Sequence, residues 1–458
     1  MSNPCDPCSI RTRITRKGHV LTQIMILLLD IGKTNKKCFV FDEDYRIVFE
    51  KTTQLAETQD EDGESCEDLD LLQNWVLASV REILSDERFQ IRAINVTTYG
   101  ASFVHLDSEG RPLTPLYNYL KPFPEALRKQ FFDTYGEEGK IEIETASPIL
   151  GSLNSGLQLY LIQHHKPLIF RQIKWSLHLP QYVVYIVGRV LNPSDYPELK
   201  ASEITSIGCH TILWDFRKND YHDWVKAADI ADKFPPIRPS NTTFPITNHH
   251  LPINIGTGLH DSSAALIPYL ACFEEPFVLI STGTWCISLN PFNQEPLTPE
   301  ELAQDCLCYL SYEGKPIKAA RYFGGHEHEK MAKKMAEEFD VAEDFYRQLT
   351  LPVPSTRDKI SGSLETSYFS FMRQLIEKQT VSTRLAIGNT PIRRIFVDGG
   401  FSRNEIYMAL MAAAFPEMEV FAAEVAQATA LGAAMAIHGS WNEKPVSKDL
   451  ISLKKIRV

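Results

Sequence analysis

The stretch VDGGFSRNEIYMALMAAAFP, residues 397–416, contains the pattern from which the fold can be inferred. A strand-like run ends there in paired glycines, Gly399 and Gly400. Ser402 and Glu405 have the S-x-x-E spacing of a capping box, so a helix is predicted directly afterwards. The glycines have no Cβ to obstruct a ligand, and the helix N-terminus offers free N–H groups. Taken alone, the pattern fits an ordinary strand-to-helix turn equally well.

A second glycine turn follows the first confident strand of the chain. Residues 24–29 and 38–41 are apolar runs typical of buried strands. The candidate ligand-binding residues of the turn between them are Asp30, Gly32, Lys33, Thr34 and Asn35. A P-loop is excluded, because position 27 is leucine instead of glycine and a strand follows instead of a helix. The turn can still hold phosphate through N–H groups and side-chain donors, or it can be an exposed basic hairpin.

The same arrangement recurs in the second half of the chain. Residues 277–280 form a buried-type strand, and residues 286–289 form the strand that returns. The turn between them contains the candidate residues Thr282, Gly283 and Thr284. Two occurrences of strand, hydroxyl-rich glycine turn and strand predict two structurally related domains.

A third motif contains a candidate catalytic carboxylate. Residues 253–266, INIGTGLHDSSAAL, predict a short strand, a glycine turn and a small-residue helix that begins near Asp261. A Rossmann fingerprint is excluded, because aspartate stands where its last glycine would be. Asp261 is either a plain helix N-cap or a carboxylate kept ionised at a helix N-terminus.

The remaining pattern predicts an α/β protein with two domains. A helix-period run at 72–83 precedes a strand at 91–97, and such alternation is typical of α/β folds. A chain of 458 residues is too long for one core. The Pro-, Asn- and Thr-rich segment 231–252 predicts the division, giving domains at 25–248 and 249–458. Residues 1–24 are expected to be a disordered extension.

Composition excludes several classes of partner. The net charge of -11 argues against nucleic acid, and no apolar run approaches the ~18 residues that a membrane span needs. Scattered cysteines in strand-like and helix-like stretches predict reduced, partly buried thiols and a cytoplasmic location. The pairs Cys5/Cys8 and Cys306/Cys308 lack a second pair at zinc spacing.

Several motifs together resemble the FGGY carbohydrate kinases of the actin–hexokinase superfamily. In chain order the motifs are Asp30-Ile31-Gly32-x-Thr34, Gly258-Leu259-His260-Asp261-Ser262, Ser281-Thr282-Gly283-Thr284-Trp285, Asp398-Gly399-Gly400-Phe401-Ser402-Arg403-Asn404 and Ala428-Thr429-Ala430-Leu431-Gly432. Each is weak alone, but their order and spacing are specific, and the resemblance extends from about Met25 to the last helix. GLHDSSAA and STGTW look most similar to the rhamnulose and fuculose kinase branch.

This resemblance implies two ribonuclease-H-like, actin/hexokinase-like α/β domains with a catalytic cleft between them. It implies ATP-dependent phosphorylation of a sugar hydroxyl, on a ketose such as L-rhamnulose or L-fuculose. The implied cofactors are ATP and Mg²⁺, the implied partner is a small-molecule sugar, and a homodimer is expected.

The resemblance also implies roles for individual residues. Asp261 matches the family's catalytic base, and Asp30 would lie near the magnesium ion. The implied nucleotide-binding residues are Asp30, Gly32, Lys33, Thr34, Asn35, Thr282, Gly283, Thr284, Gly399, Gly400 and Asn404. The implied sugar-binding residues are Tyr99, Gly100, Ala101, His260 and Asp261.

The sequence departs from the family pattern at two places. Lys33 stands where the family usually has threonine or serine, and it could add a phosphate contact or change how the triphosphate binds. Residues 98–102 match no single substrate group. The alternatives are therefore a kinase for a pentulose or polyol, a catalytically silent sugar- or nucleotide-binding regulator, and an ATPase that acts on protein partners.

Overall fold

The computed structural model describes residues 23–192, 199–247, 252–349, 363–425 and 427–457. The strands are Ile24–Ile31 (β1), Lys36–Asp42 (β2), Ile47–Thr53 (β3), Glu57–Gln59 (β4), Ser65–Glu67 (β5), Gln90–Thr98 (β6), Phe103–Leu106 (β7), Trp175–His178 (β8), Ser202–Glu203 (β9), Trp214–Asp215 (β10), Asp220–Tyr221 (β11), Ile237–Arg238 (β12), Thr243–Ile246 (β13), Ile253–Gly256 (β14), Leu259–His260 (β15), Phe277–Thr282 (β16), Cys286–Asn290 (β17), Cys306–Leu310 (β18), Pro316–Tyr322 (β19), Arg394–Gly399 (β20), Glu419–Glu424 (β21) and Ser452–Lys455 (β22). The helices are Leu69–Leu84 (α1), Glu125–Tyr135 (α2), Glu138–Thr145 (α3), Ser155–His165 (α4), Pro167–Gln172 (α5), Leu179–Leu191 (α6), Ile204–Ile207 (α7), Asp223–Ala227 (α8), Asp261–Cys272 (α9), Pro299–Leu302 (α10), Gly324–Phe339 (α11), Leu364–Ile387 (α12), Glu405–Ala414 (α13) and Ala428–Ala436 (α14).

The chain divides into two compact units, each discontinuous in sequence. Unit 1 consists of Met1–Pro268, Leu310–Lys315 and Ala426–Ser447, so far as these are described. Unit 2 consists of Tyr269–Tyr309, Pro316–Val425 and Lys448–Val458, again within the described residues. The extension predicted at 1–24 lies, apart from its last two residues, outside the described residues, as does the predicted domain division at 248/249.

The structure corrects the predicted assignment of Asp261 to the C-terminal domain. Asp261 belongs to unit 1, because β15, which directly precedes it, pairs in parallel with β6 of the first sheet. The division between the units falls later, after Pro268 and inside α9. A composition shift could not indicate this, because α9 is apolar on both sides of the division.

The sheets of the two units have the same order and direction of strands. Six strands of unit 1 run β3-β2-β1-β6-β14-β13, and six strands of unit 2 run β19-β17-β16-β20-β21-β22. The seventh strand of each sheet has no counterpart in the other: β15 pairs with β6, and β18 lies beyond β19. In both, the first two pairings are antiparallel, the next two are parallel and the last is antiparallel. The prediction of two structurally related α/β domains is confirmed.

Apolar burial explains why these strands and helices form. β1 is fully buried over most of its length, and one face of α1 buries Leu72, Val76, Val80 and Ile83 at helical spacing. Unit 2 has its own core, in which α12 and α13 pack against the sheet. The cysteines of the described residues are buried thiols, as predicted.

The capping box predicted at Ser402 and Glu405 is wrong. Residues 400–403 form a short 3-10 turn, and the N-cap of α13 is Asn404, whose side chain accepts a hydrogen bond from the Tyr407 N–H at 2.9 Å. The Ser402 hydroxyl instead donates to the carbonyl of Gly399. The helix therefore starts two residues later than the box would require.

The small-residue helix α14 packs closely on α9. A Cβ added at Gly432 would lie 1.8 Å from the carbonyl oxygen of Ala264. Gly432→Ala should therefore lower the free energy of unfolding by about 1–3 kcal/mol, measured by urea denaturation. An exposed helical glycine shows the opposite sign on changing to alanine.

Gly439→Ala is the matched control, because a Cβ there meets no atom within 4 Å. Its free energy of unfolding should not fall. An unchanged or increased free energy for Gly432→Ala would contradict the close packing of α14 on α9.

Candidate active site

Three candidate residues of unit 1 come from neighbouring strands at one edge of the sheet. In the register, Thr98 of β6 is opposite Ile31 of β1 on one side and His260 of β15 on the other. Ile31, Thr98 and His260 thus form one row across the three strands. Asp30, Tyr99 and Asp261 are each one residue away from a member of this row. Strands that pair in parallel end at the same edge, so separate motifs converge there.

The turn between β1 and β2 is closed by its own backbone and by a lysine. The Gly32 N–H donates to the carbonyl of Asn35 at 2.9 Å. Lys36 Nζ donates to the carbonyls of Gly32 and Lys33 at 3.0 and 2.9 Å. The N–H groups of Lys33 and Thr34 have no hydrogen-bond acceptor among the described residues. The carbonyls of Gly32, Lys33 and Asn35 therefore accept hydrogen bonds from within the turn region, whereas the N–H groups of Lys33 and Thr34 remain available to a ligand.

Asp30 is a buried carboxylate at the end of β1. Its Oδ2 accepts a hydrogen bond from the Thr429 hydroxyl of α14 at 3.0 Å. Burial raises the pKa of Asp30 to about 6, against the lowering effects of Lys37 and Thr429, and repulsion from Asp261 adds to the rise. The carboxylates of Asp30 and Asp261 are therefore close enough within unit 1 for charge repulsion to affect the pKa of Asp30.

Asp261 opens α9 with its side chain still 30% exposed. Its Oδ1 accepts a hydrogen bond from the Ser262 N–H at 2.6 Å, and its packed surroundings raise its pKa to about 6. His260 Nε2 lies 3.3 Å from the same oxygen, and burial lowers the pKa of His260 to about 3. At neutral pH the site therefore pairs an ionised carboxylate with an uncharged imidazole.

The loop after β6 is shaped to fit against His260. A Cβ added at Gly100 would lie 2.8 Å from Cys209 Sγ and 3.0 Å from His260 Cδ2. Ala101 has a left-handed backbone, with φ of 61°. The ring of Tyr119 packs edge-on against that of Tyr99, with 5.8 Å between the ring centroids. Burial and the negative charges of Asp261 and two glutamates raise the pKa of Tyr119 to about 12.

Unit 2 has a counterpart of the first turn. Between β16 and β17 the Gly283 N–H donates to the Trp285 carbonyl at 2.9 Å. The Thr282 hydroxyl accepts from the Phe401 N–H at 3.0 Å and donates to the Asp398 carbonyl, which joins the two glycine turns. Gly399 has φ of 90°, and a Cβ there would lie 2.0 Å from the Thr282 carbonyl oxygen.

A cavity of about 1030 Å³ opens beside these turns, entirely within unit 2. Its walls are Thr282, Gly283, Gly325, His328, Glu329, Ala332, Lys333, Glu343, Asp344, Tyr346, Arg347, Leu349, Gly400, Phe401, Arg403, Asn404 and Glu405. The volume and the mixture of glycine turns, cations and apolar surface suit a ligand the size of a nucleotide.

The structure groups the sequence-predicted residues in two sets. Those in unit 1 are Asp30, Gly32, Lys33, Thr34, Asn35, Tyr99, Gly100, Ala101, His260 and Asp261. Those in unit 2 are Thr282, Gly283, Thr284, Gly399, Gly400 and Asn404, of which Thr284 and Gly399 do not line the cavity.

Lys33 and Asn404 are among the predicted residues whose side chains already have protein partners. Lys33 Nζ forms an ion pair with Glu57 at 2.9 Å. Asn404 caps α13 and donates to the Tyr368 hydroxyl at 2.8 Å. These contacts leave less of either side chain for a ligand.

Sequence reasoning missed several residues at these sites. Lys36 and Thr429 fix the first turn and Asp30, and Tyr119 lies near Asp261. Arg403 and Tyr346 line the unit 2 cavity. Arg403 and Thr429 had a signal, because each lies inside one of the quoted motifs.

Asp30 fits a magnesium ligand. Magnesium prefers oxygen donors and is often held by one or two carboxylates plus substrate phosphates. Asp30 Oδ1 has no hydrogen-bond donor among the described residues, whereas Oδ2 accepts from Thr429.

A separate acidic cluster in unit 1 does not fit a metal. Among the described residues it consists of Glu144, Asp215 and His222. His222 Nδ1 accepts a hydrogen bond from the Trp224 N–H, so Nε2 carries the proton and donates to Glu144 at 2.7 Å. Arg217 also pairs with Glu144. A protonated Nε2 has no lone pair for a metal.

Comparison with known families agrees with this arrangement. Residues 25–267 match the N-terminal domain of the FGGY family of carbohydrate kinases. Residues 274–353 match the FGGY carbohydrate kinase C-terminal domain, and residues 350–438 match the FGGY family C-terminal domain. The chain belongs to the FGGY family of carbohydrate kinases.

Individual relatives are distant. The chain is 22% identical over 271 residues to a rhamnulokinase from Mannheimia succiniciproducens, covering 58% of this chain and 54% of that protein. A rhamnulokinase from Halalkalibacterium halodurans is 21% identical over 271 residues, covering 57% and 55%. The chain therefore spans about half the length of the curated relatives it matches.

Solved structures show the same fold. A carbohydrate kinase from Novosphingobium aromaticivorans superposes with a TM-score of 0.73 at 22% identity, over 95% of this chain and 94% of that chain. The two-domain actin/hexokinase-like fold is thereby confirmed. Within the described residues, no helix combines the length and apolarity required to span a membrane.

The raised pKa of Asp30 predicts a specific effect on stability. Its folded value of about 6 exceeds the ordinary 3.8, so the folded state binds more protons, and stability falls as pH rises through 4 to 6. Asp30→Asn removes this cost. At pH 8 its free energy of unfolding should exceed that of the wild type by on the order of 1–3 kcal/mol, seen as a higher thermal unfolding midpoint. At pH 4 the two midpoints should converge.

Asp86→Asn is a control of opposite sign, because hydrogen bonds from Arg88 lower the pKa of Asp86. It should reduce the midpoint at pH 8. Equal destabilisation of Asp30→Asn at both pH values would contradict the raised pKa.

Proposed function

We propose that this protein transfers the γ-phosphoryl group of ATP to a hydroxyl of a ketose such as L-rhamnulose or L-fuculose. Asp261 is the general base. The observation that carries the proposal is the part-exposed Asp261 carboxylate beside a neutral His260, in the same row of unit 1 as Asp30. Membership of a carbohydrate kinase family supports the reaction class.

Asp261 has the properties that a base for this reaction needs. With a pKa of about 6 it is ionised at pH 7 to 8, yet it is more basic than an ordinary aspartate. It accepts the proton of the sugar hydroxyl as the oxygen attacks phosphorus. The oxygen–phosphorus bond to the sugar forms while the bond to the ADP leaving group breaks. Neutral His260 adds no positive charge that would weaken the base.

We assign phosphate binding to the two turns. The unpaired N–H groups of Lys33 and Thr34 are donors for phosphate oxygens in unit 1. In unit 2 the cavity beside Gly283 and Gly400 receives the nucleotide, with Arg403 as a nearby cation. Asp30 would hold a magnesium ion, which supplies charge neutralisation on the phosphates when bound.

The proposed acceptor is a neutral sugar. The Tyr99 and Tyr119 rings pack against each other, and Asp261 and Glu67 contribute negative charge close to Tyr119. An anionic sugar acid would be repelled there, whereas a polyhydroxylated neutral ketose gains hydrogen bonds. The rhamnulokinase names of the relatives favour a deoxyketohexose.

The decisive experiment measures ADP release with magnesium ATP over a panel of ketoses, polyols and sugar acids. Wild type should turn over a ketose, with L-rhamnulose and L-fuculose tested first, and should not turn over gluconate. Asp261→Asn should lower kcat at least 100-fold without unfolding, because the amide still accepts the Ser262 N–H.

Asp340→Asn is the matched control, because Asp340 ends α11 in a left-handed conformation that asparagine tolerates. Its turnover should equal that of the wild type. Near-normal turnover in Asp261→Asn would exclude Asp261 as the base. ATP binding with no sugar-stimulated turnover on the whole panel would favour the silent regulator.

The open space at Gly400 provides a test of the nucleotide site. A Cβ there meets no protein atom within 4 Å, so Gly400→Val should fold with an unchanged unfolding midpoint. The added side chain would occupy space in the cavity, and the dissociation constant for ATP should rise at least tenfold by calorimetry. Gly139→Val, also in open space, is the control and should bind ATP normally. Wild-type affinity in Gly400→Val would contradict this assignment.

A further inference from the structure

Lys36 is a buried lysine beneath the first glycine turn. Its residue is only 2% exposed, although lysine is seldom buried unless it is paired. A charged group inside a protein is costly unless hydrogen bonds and an opposite charge compensate it. The partners of Lys36 therefore indicate why it is there.

The Lys36 ammonium has two carbonyl acceptors and one charged partner. It donates to the carbonyl oxygens of Gly32 and Lys33 at 3.0 and 2.9 Å, and it lies 3.1 Å from Glu67 Oε1. The two carbonyls belong to the turn in which the N–H groups of Lys33 and Thr34 have no acceptor among the described residues. Tying down the carbonyls fixes the peptide planes, and hence the direction of those N–H groups.

Glu67 continues the connection to the loop after β6. Its residue is 6% exposed, and its negative charge acts on Tyr99: burial and this charge raise the pKa of the Tyr99 hydroxyl. The Tyr99 N–H donates to the carbonyl of Ile31 at 3.1 Å. Turn and loop are thus joined twice, once through the backbone and once through the buried charges.

The neighbouring lysines do not duplicate this arrangement. Lys33 Nζ is 24% exposed and pairs mainly with Glu57. Lys37 Nζ donates to Gln427 at 2.8 Å. Of the three lysines in the turn, only Lys36 bonds to the turn's own carbonyls.

We propose that Lys36 and Glu67 are positioning residues that hold the β1–β2 turn and the Tyr99 loop as one preformed unit. This inference rests on the proposed function in assigning the turn to phosphate and the loop to the acceptor. Both elements lose their conformational entropy when the protein folds. Ligand binding therefore does not have to order either of them. Ligand binding at either element then finds the other already in place.

A buried ion pair can also serve stability alone, and the test must separate the two roles. Replacing a buried pair with apolar residues of similar volume often preserves or raises stability. Lys36→Met combined with Glu67→Leu should therefore fold with an unfolding midpoint near that of the wild type, yet lack the hydrogen bonds to the turn.

Two measurements on this double variant test the proposal. Amide hydrogen exchange in segments 31–37 and 99–102 should become at least tenfold faster. With the acceptor identified in the sugar panel, the KM values for ATP and for the acceptor should both rise at least fivefold. Lys36→Met and Glu67→Gln should also be measured singly. Because the pair acts as a unit, the fold-change in KM of the double variant should be smaller than the product of the two single fold-changes.

Lys51→Met is the matched control. Lys51 lies on β3 of the same sheet and pairs with Glu82 at 2.7 Å, outside the turn. Its exchange rates in both segments and its KM values should stay at wild-type values.

The outcomes distinguish this inference from the proposed function. Unchanged exchange in both segments of the double variant overturns the positioning role, whether or not a sugar is turned over. Faster exchange with unchanged KM values also overturns it, because the turn and loop would then not serve the ligands. If wild type phosphorylates no sugar, faster exchange together with weaker calorimetric binding of ATP still supports the role of Lys36 at the turn.

Discussion

The parallel pairing of β1 with β6 is the interaction on which the unit 1 site depends. Its register sets Ile31 opposite Thr98, and β15 then continues the row with His260. Because all three strands end at one edge, residues more than 200 positions apart in sequence reach the same place. Shifting one strand by a single residue would turn its side chains to the other face and separate the carboxylates.

The raised pKa values follow from that convergence. Asp30 and Asp261 repel each other in packed surroundings, so the free protein keeps two carboxylates in an environment that disfavours their charge. Carboxylates with pKa values raised in this way cluster at functional sites more than in ordinary core. Unit 2 repeats the sheet but not the acidic pair, and its turns border a cavity instead.

Sequence reasoning succeeded where local signals decide structure. Apolar runs flanked by glycine turns predicted β1, β2, β16 and β17 and the related sheets. It failed at the N-cap of α13, because two capping residue types compete there and a distant hydroxyl, that of Thr282, fixes the turn by accepting the Phe401 N–H. It also missed Lys36, whose partner Glu67 is distant in sequence. The sequence does not reveal which of the three lysines between positions 33 and 37 is buried.

Unit 1 is completed by a helix from near the end of the chain. α14 packs on β1 and β6, Thr429 bonds to Asp30, and Asn95 donates to the carbonyl of Ala433 at 2.8 Å. During synthesis on the ribosome, therefore, the first sheet emerges long before the helix that covers it. Since domains tend to fold as they emerge, this one must wait until Ala428–Ala436 has been synthesised, with apolar strand surface exposed in the meantime. Its biogenesis is thus expected to be slow and to benefit from chaperones.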